Sequence, residues 1–165
     1  MTRALIVIDV QEEYFPGGLM PLWQPEAVEA RIVAGLARVR QAGDRVLLIR
    51  HVAIESGGPF AIGGAGVAIR SAILAAAGDA AIVPKSVPDA FQDTDLASHL
   101  DGVDTLLLCG MMTQNCVVFT ALSHAAAGYD VRVIGDWCTA PTEQVHRIAL
   151  RALASKVAVI DSDSL

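Results

Sequence analysis

The chain has 165 residues, of which 53% are hydrophobic and 18% charged, with a formal net charge of −6. That length suits one domain able to bury about two-thirds of the surface its unfolded chain exposes, and the composition excludes a disordered chain. The negative charge, with no Lys/Arg run to offset it, argues against a nucleic-acid partner, and no stretch reaches the roughly 18 uninterrupted apolar residues of a membrane helix.

The opening MTRALIVIDV has too short an apolar stretch for a secretion signal and is stopped by Asp9. Three cysteines, an odd number without an export signal, point to reduced thiols in a cytoplasmic protein. From one end to the other, short β-rich runs then alternate with helical patterns. Residues 4–8 read as a buried strand, a continuous apolar run. A Pro- and Gly-rich connection covers 14–25. A helix over 26–41 carries Val28, Ile32, Leu36 and Val39 at helical spacing, with Gly43 after it. The second strand is 45–49. A glycine-rich loop spans 56–66, and an Ala-rich helix is expected over 67–77. Strand three is 80–83, closed by Pro84 and Lys85. A short helix over 94–100 precedes strand four, 105–109, and a longer one is expected over 114–127. Strand five (131–134), a helix over 142–154 and strand six (157–160) complete the chain. Six strands separated by helices describe an α/β fold, a parallel sheet covered on both faces in three α/β/α layers. No internal repeat or linker divides it, so residues 1–165 read as a single domain.

Open parallel sheets bind ligands beyond the carboxyl ends of their strands. Asp9 ends strand one, His51 follows strand two, Lys85 ends strand three and Asp136 lies past strand five. Just beyond strand four comes Gly110-Met111-Met112-Thr113-Gln114-Asn115-Cys116, entering a helix. An acid, a base and a thiol therefore share one rim. Each has a plainer reading, since strand ends commonly just meet water and a cysteine is commonly a small apolar residue. Cys109, inside an apolar run, fits that plainer reading, and Cys138 is open to it. Thr113 is placed to cap the helix, which puts Cys116 in its first turn, where free N–H groups and a nearby cation favour a thiolate. Asp9 offers a proton acceptor and Lys85 the cation.

At these residues the sequence resembles the isochorismatase-like hydrolase superfamily, in its cysteine hydrolase branch. Ala4-Leu5-Ile6-Val7-Ile8-Asp9-Val10-Gln11 is similar to that family's opening motif, and Phe15-Pro16-Gly17-Gly18-Leu19-Met20-Pro21 continues it in a nicotinamidase-related form. Lys85-Ser86 with Ala90-Phe91 and Thr94-Asp95-Leu96 resembles the lysine segment. Gly110 to Val117 resembles the nucleophile turn, and residues 126–136 the segment after it. The resemblance runs over essentially the whole chain.

It implies a Rossmann-like strand order 3-2-1-4-5-6 and a catalytic triad of Asp9, Lys85 and Cys116. It also implies an oxyanion hole from the backbone N–H groups of Met112 and Cys116, a cis peptide between Met111 and Met112, and a homo-oligomer, dimer or tetramer. Neighbouring strands are about 4.8 Å apart, so Lys85 has to reach inward past strand two. Two departures narrow the chemistry. Nicotinamidases of the family carry an Asp-x-His metal pair after strand two plus a further His; here the stretch reads Arg50-His51-Val52-Ala53, so no metal and no other cofactor are expected. Family members acting on isochorismate, a vinyl ether, generally lack the cysteine, so Cys116 favours an amidohydrolase cutting a small molecule's C–N bond through a thioester. The competing readings are an isochorismate-type vinyl-ether hydrolase and a non-catalytic small-molecule binding module on the same fold. Phe15, His51, Phe91 and Trp137 are candidates for substrate contact, although aromatic residues more often simply pack. His99, His124 and His146 fall on expected helices without a cluster around them and read as surface or satisfied core residues.

Overall fold

The structure, a computed structural model, describes residues 1–165. Six parallel strands run β1 (Arg3–Ile8), β2 (Arg45–His51), β3 (Ala81–Lys85), β4 (Thr105–Met111), β5 (Asp130–Thr139) and β6 (Ala158–Ile160). They lie in the order β3-β2-β1-β4-β5-β6, as the resemblance implies. Helices α1 (Pro25–Gln41) and α2 (Ser71–Ala77) pack on one another, as do α3 (Val118–Ala121) and α4 (Glu143–Leu153). The two pairs cover opposite faces, the arrangement that right-handed crossovers give when strand order reverses at β1. Central strands covered on both faces have no solvent side, which is why β4 is buried at every position and β1 from Ala4 to Ile8.

Local chemistry explains the element ends. Pro25 opens α1, where its missing N–H costs nothing. Thr142 caps α4 by accepting from the Val145 N–H at 3.2 Å. The expected helix over 67–77 divides into a 3₁₀ turn, Ala65–Val67, and α2. The expected helix over 94–100 forms only from Leu96 to Leu100, as a 3₁₀ turn.

The expected helix over 114–127 is also divided. It becomes a π-helical turn (Thr113–Val117), the single turn of α3, and a 3₁₀ turn (His124–Ala126) nucleated by Ser123, whose hydroxyl accepts from the Ala125 N–H. Val117, Val118 and Thr120 are β-branched and favour helix weakly, so packing decides the path. Strand five is longer than its apolar run and continues to Thr139, which places Asp136 inside β5 and not past its end. Its carboxylate accepts from the Ser162 N–H at 2.8 Å and ties down the chain after β6.

Two glycines permit approaches that no other residue would. Gly110 has φ 119°, and a Cβ there would stand 2.0 Å from the Ile8 carbonyl oxygen, so β4 can pass against the end of β1. On α1, a Cβ at Gly35 would stand 1.9 Å from the Trp137 ring. Trp137, 1% exposed, is thus a core residue keyed into a helix notch, and its expected substrate contact gives way to that packing. We expect Gly35→Ala to destabilise the fold by about 1–3 kcal/mol through overpacking. Trp137→Phe in the same chain should recover part of that loss, read as a coupling energy in a urea double-mutant cycle.

Candidate active site

The carboxyl ends of β1, β2, β3 and β4 bring four side chains together. Asp9, the first residue past β1, is fully buried and held in left-handed backbone, φ 51°, on the order of 1 kcal/mol of strain that Asp tolerates better than most residues. Its N–H bonds the Ile49 carbonyl of β2 at 3.1 Å. Lys85 is the last residue of β3, paired in register with His51 at the end of β2. Its stem crosses that strand end, and its Nζ stands 2.7 Å from Asp9 Oδ2, with both side chains excluded from solvent. The two-strand separation is thus bridged by the long lysine stem. The same Nζ lies 3.1 Å from His51 Nδ1, 3.1 Å from the Val87 carbonyl and 3.3 Å from Cys116 Sγ.

Cys116 comes from the π-turn after β4, behind the cis Met111–Met112 peptide. Thr113 does not cap this turn. Its hydroxyl pairs with His146 Nδ1 of α4 at 2.8 Å, so the turn is anchored sideways to the helix layer. The Met112 carbonyl accepts from the Asn115 and Val117 N–H groups and closes the turn.

Electrostatics reverse one expectation. Burial, reinforced by the Asp9 charge and opposed by the Lys85 ammonium, pushes the Cys116 thiol up to about 12. At rest it therefore holds its proton, against the thiolate that a helix start and a nearby lysine suggest. Burial also raises Asp9 above the usual carboxylate range, with Lys85 opposing, which makes it a stronger proton acceptor than an exposed aspartate. The Cys116 thiol and the His51 main chain also face this completely buried carboxylate and, like Lys85, oppose the rise. An ammonium only donates, so His51 Nδ1 accepts, which assigns the imidazole proton to Nε2. Burial and then the Lys85 charge push His51 down to about 4, and it is neutral at pH 7.

Two residues outside the three-residue reading hold this arrangement. Gln11, fully buried, accepts from the His51 N–H at 2.8 Å and donates to the His51 and Val67 carbonyls at 2.9 and 2.8 Å. Glu13 accepts from the Leu19 N–H at 2.6 Å and from the Phe60 N–H at 2.9 Å, so one carboxylate fixes both glycine-rich loops. Phe60 stands edge-on to His51 and to Tyr14, ring centroids 5.1 Å apart in each case, and these rings wall the site. The one signal for Phe60 in the sequence was an aromatic residue alone in a glycine-rich stretch. Phe15 and Phe91, expected as substrate contacts, pack elsewhere. Phe15 is 1% exposed beneath the Arg70 guanidinium, and Phe91 stacks on Tyr129. Cys109 and Cys138 are buried in β4 and β5, with thiols pushed up by that burial, and belong to the core.

The residues present do not reproduce a nicotinamidase-type metal set, since the stretch after β2 offers His51 alone. The one three-ligand cluster, Asp9, His51 and Cys116, has the Lys85 ammonium in hydrogen-bonding or ion-pair contact with each member.

Two measurements check this description. With the thiol raised, alkylation of Cys116 by iodoacetamide should climb about tenfold per pH unit between about pH 7 and 10, because only the thiolate reacts. A plateau below about pH 8 would instead mean a resting thiolate. Gln11→Leu strands three partly buried backbone groups of His51 and Val67 and should lower the urea unfolding free energy by about 1–3 kcal/mol.

Comparison with known proteins agrees with the fold and the strand-end motifs. The isochorismatase domain profile matches residues 3–164. The isochorismatase family protein YddQ of Bacillus subtilis (strain 168) is 34% identical over 149 residues, 88% of this chain and 82% of that one. The streptothricin hydrolase of Streptomyces noursei is 30% identical over 178 residues, 96% of this chain and 62% of that one. Among solved structures, an isochorismatase family protein from Desulfovibrio vulgaris superposes with a TM-score of 0.87 at 28% identity, covering 99% of this chain and 95% of that one. A profile spanning nearly the whole length, on the same parallel sheet, makes this chain a member of the isochorismatase hydrolase family.

Proposed function

We propose that the protein is a cysteine-dependent amidohydrolase that cuts a C–N bond of a small molecule through a thioester on Cys116. The observation that carries this reading is a buried acid and a buried thiol held on one ammonium, Lys85 Nζ, at 2.7 and 3.3 Å. A merely structural lysine does not need such partners, and burying three of the four groups almost completely has no evident packing gain. The streptothricin hydrolase among its relatives supports hydrolytic chemistry.

The resting protonation states set the order of events. Asp9, whose carboxylate faces the Cys116 thiol, takes the thiol proton as Cys116 Sγ attacks the substrate carbonyl. Lys85 offsets the negative charge that then sits on the sulfur. The oxyanion rests on the Met112 and Cys116 N–H groups at the mouth of the turn. Asp9 returns its proton to the departing nitrogen, which leaves as an amine or ammonia. Water, deprotonated by Asp9, then attacks the thioester, and the thiol recovers its proton as the acid departs. No step draws on a metal or an organic cofactor. His51, with Nε2–H free of the Lys85 contact, is placed to donate to the substrate. Beside Lys85 lies an open depression of about 280 Å³ lined by Val52, Ala53, Ile54, Ile62, Ser86 and Asp93, with none of Asp9, His51 or Cys116 in its wall.

The covalent step is the test. Rapid quench of the wild type with a slow amide or an activated ester should give an adduct on Cys116 in tandem mass spectra, and hydroxylamine should remove it. Vinyl-ether hydrolysis needs no such intermediate, and a binding module performs no turnover. Substrate turnover without an adduct, or an adduct on Cys109 or Cys138, would sink the mechanism. Lys85→Met keeps most of the stem while removing the charge, and should lower turnover by about 100-fold or more. Unchanged turnover would reduce Lys85 to a structural residue.

A further inference from the structure

Four acceptors surround the three protons of the Lys85 ammonium: Asp9 Oδ2, His51 Nδ1, Cys116 Sγ and the Val87 carbonyl. This is a coordination sphere in which the cation happens to be organic. The ligand atoms of Asp9, His51 and Cys116 all lie within 4.8 Å of one another. A tetrahedral zinc ion with bonds of about 2.0–2.3 Å separates its ligands by about 3.3–3.8 Å, so an inward shift of about 1 Å closes the set. The lone pair of His51 Nδ1 already faces the cation position. The completely buried Asp9 carboxylate faces the Cys116 thiol as well as Lys85, so acid and sulfur already meet at that position. One thiol, one imidazole and one carboxylate select zinc-class ions, whereas magnesium and calcium require oxygen donors throughout.

We propose that Asp9, His51 and Cys116 form an inhibitory site for a zinc-class divalent cation, which binds them in exchange for the Lys85 ammonium. The exchange balances simply. The Cys116 S–H bond breaks as the sulfur–metal bond forms, and one proton leaves to solvent. Lys85 keeps its charge and swings into the adjoining depression, where Asp93 offers a carboxylate. Water completes the tetrahedron, and no group is oxidised or reduced. Inhibition follows because the metal occupies both the nucleophile and its proton acceptor. That consequence rests on the triad reading above; the binding itself does not.

Cobalt(II) is the probe, because thiolate coordination gives it a near-ultraviolet charge-transfer band and tetrahedral geometry an intense visible one. Lys85→Ala, which vacates the cation position, should bind one Co²⁺ per chain with both bands, roughly tenfold or more tighter than wild type, since no ammonium competes. Adding Cys116→Ala should abolish the charge-transfer band, and adding His51→Ala should weaken binding roughly tenfold or more. In wild-type protein, saturating Zn²⁺ should protect Cys116 from iodoacetamide and stop turnover. The site is overturned if Lys85→Ala shows no thiolate–cobalt band, if the band survives Cys116→Ala, or if removing Lys85 leaves affinity unchanged. Should Lys85→Ala not fold, the wild-type protection experiment decides, and undiminished labelling of Cys116 under saturating Zn²⁺ overturns the site. Metal bound through Cys116 with turnover intact would overturn the triad reading and the inhibitory role, leaving the binding site in place.

Discussion

Lys85 and Asp9 stand 2.7 Å apart with both side chains excluded from water, and the geometry of the strand ends is arranged around that pair. Taking two charges out of water costs several kcal/mol each, which their attraction offsets only when geometry is good and the remaining polar atoms are satisfied. Here the ammonium is saturated by His51, Val87 and Cys116, and the Asp9 carboxylate faces the Cys116 thiol. A fold optimised for stability alone would replace the pair with apolar side chains. A carboxylate facing a protonated thiol is instead what the proposed proton transfer to Asp9 requires.

Everything around the pair limits its freedom. Gln11 fixes both main-chain groups of His51, so the imidazole that meets Lys85 cannot drift along β2. Glu13 does the same for the loops at Leu19 and Phe60, and Gly110 lets β4 approach β1 closely enough to set the Cys116 turn beside Asp9. From the other layer, His146 holds Thr113. These residues touch none of the three central groups through chemistry of their own. They act by orientation, and preorganised positions are what make a buried charge useful to a reaction.

The resting protonation pattern follows from the same burial. A thiol beside a lysine at a helix start invites the reading of a thiolate, and in an exposed site that reading would hold. Cys116 is 3% exposed and faces an anion as well as a cation, and the desolvation of sulfur outweighs the single favourable charge. His51 moves the opposite way, since burial and the ammonium, which oppose each other at Cys116, both disfavour its positive form. One cation thus keeps its neighbour neutral while it stabilises Asp9 as an anion.

Much of this was legible in one dimension. The runs at 4–8 and 105–109 announced central strands because strands buried on both faces have no polar side to alternate with, and the helix expected over 142–154 appears as α4. Strand ends bearing Asp9, Lys85 and Cys116 marked the rim because a parallel sheet places all its carboxyl ends together. What one dimension lacks is the identity of non-local partners. Trp137 belongs to Gly35 and Phe15 to Arg70, pairings across 102 and 55 residues that no local period encodes (137 − 35 and 70 − 15). Asp136 left the rim because β5 continued beyond its apolar run, and Thr113 found His146 instead of a helix end. The proton on Cys116 was settled last, because a pKa depends on how much water and which charges surround a group. The chain order determined which chemical groups arrive at the rim; only tertiary packing decided which of them touch, and in what charge state.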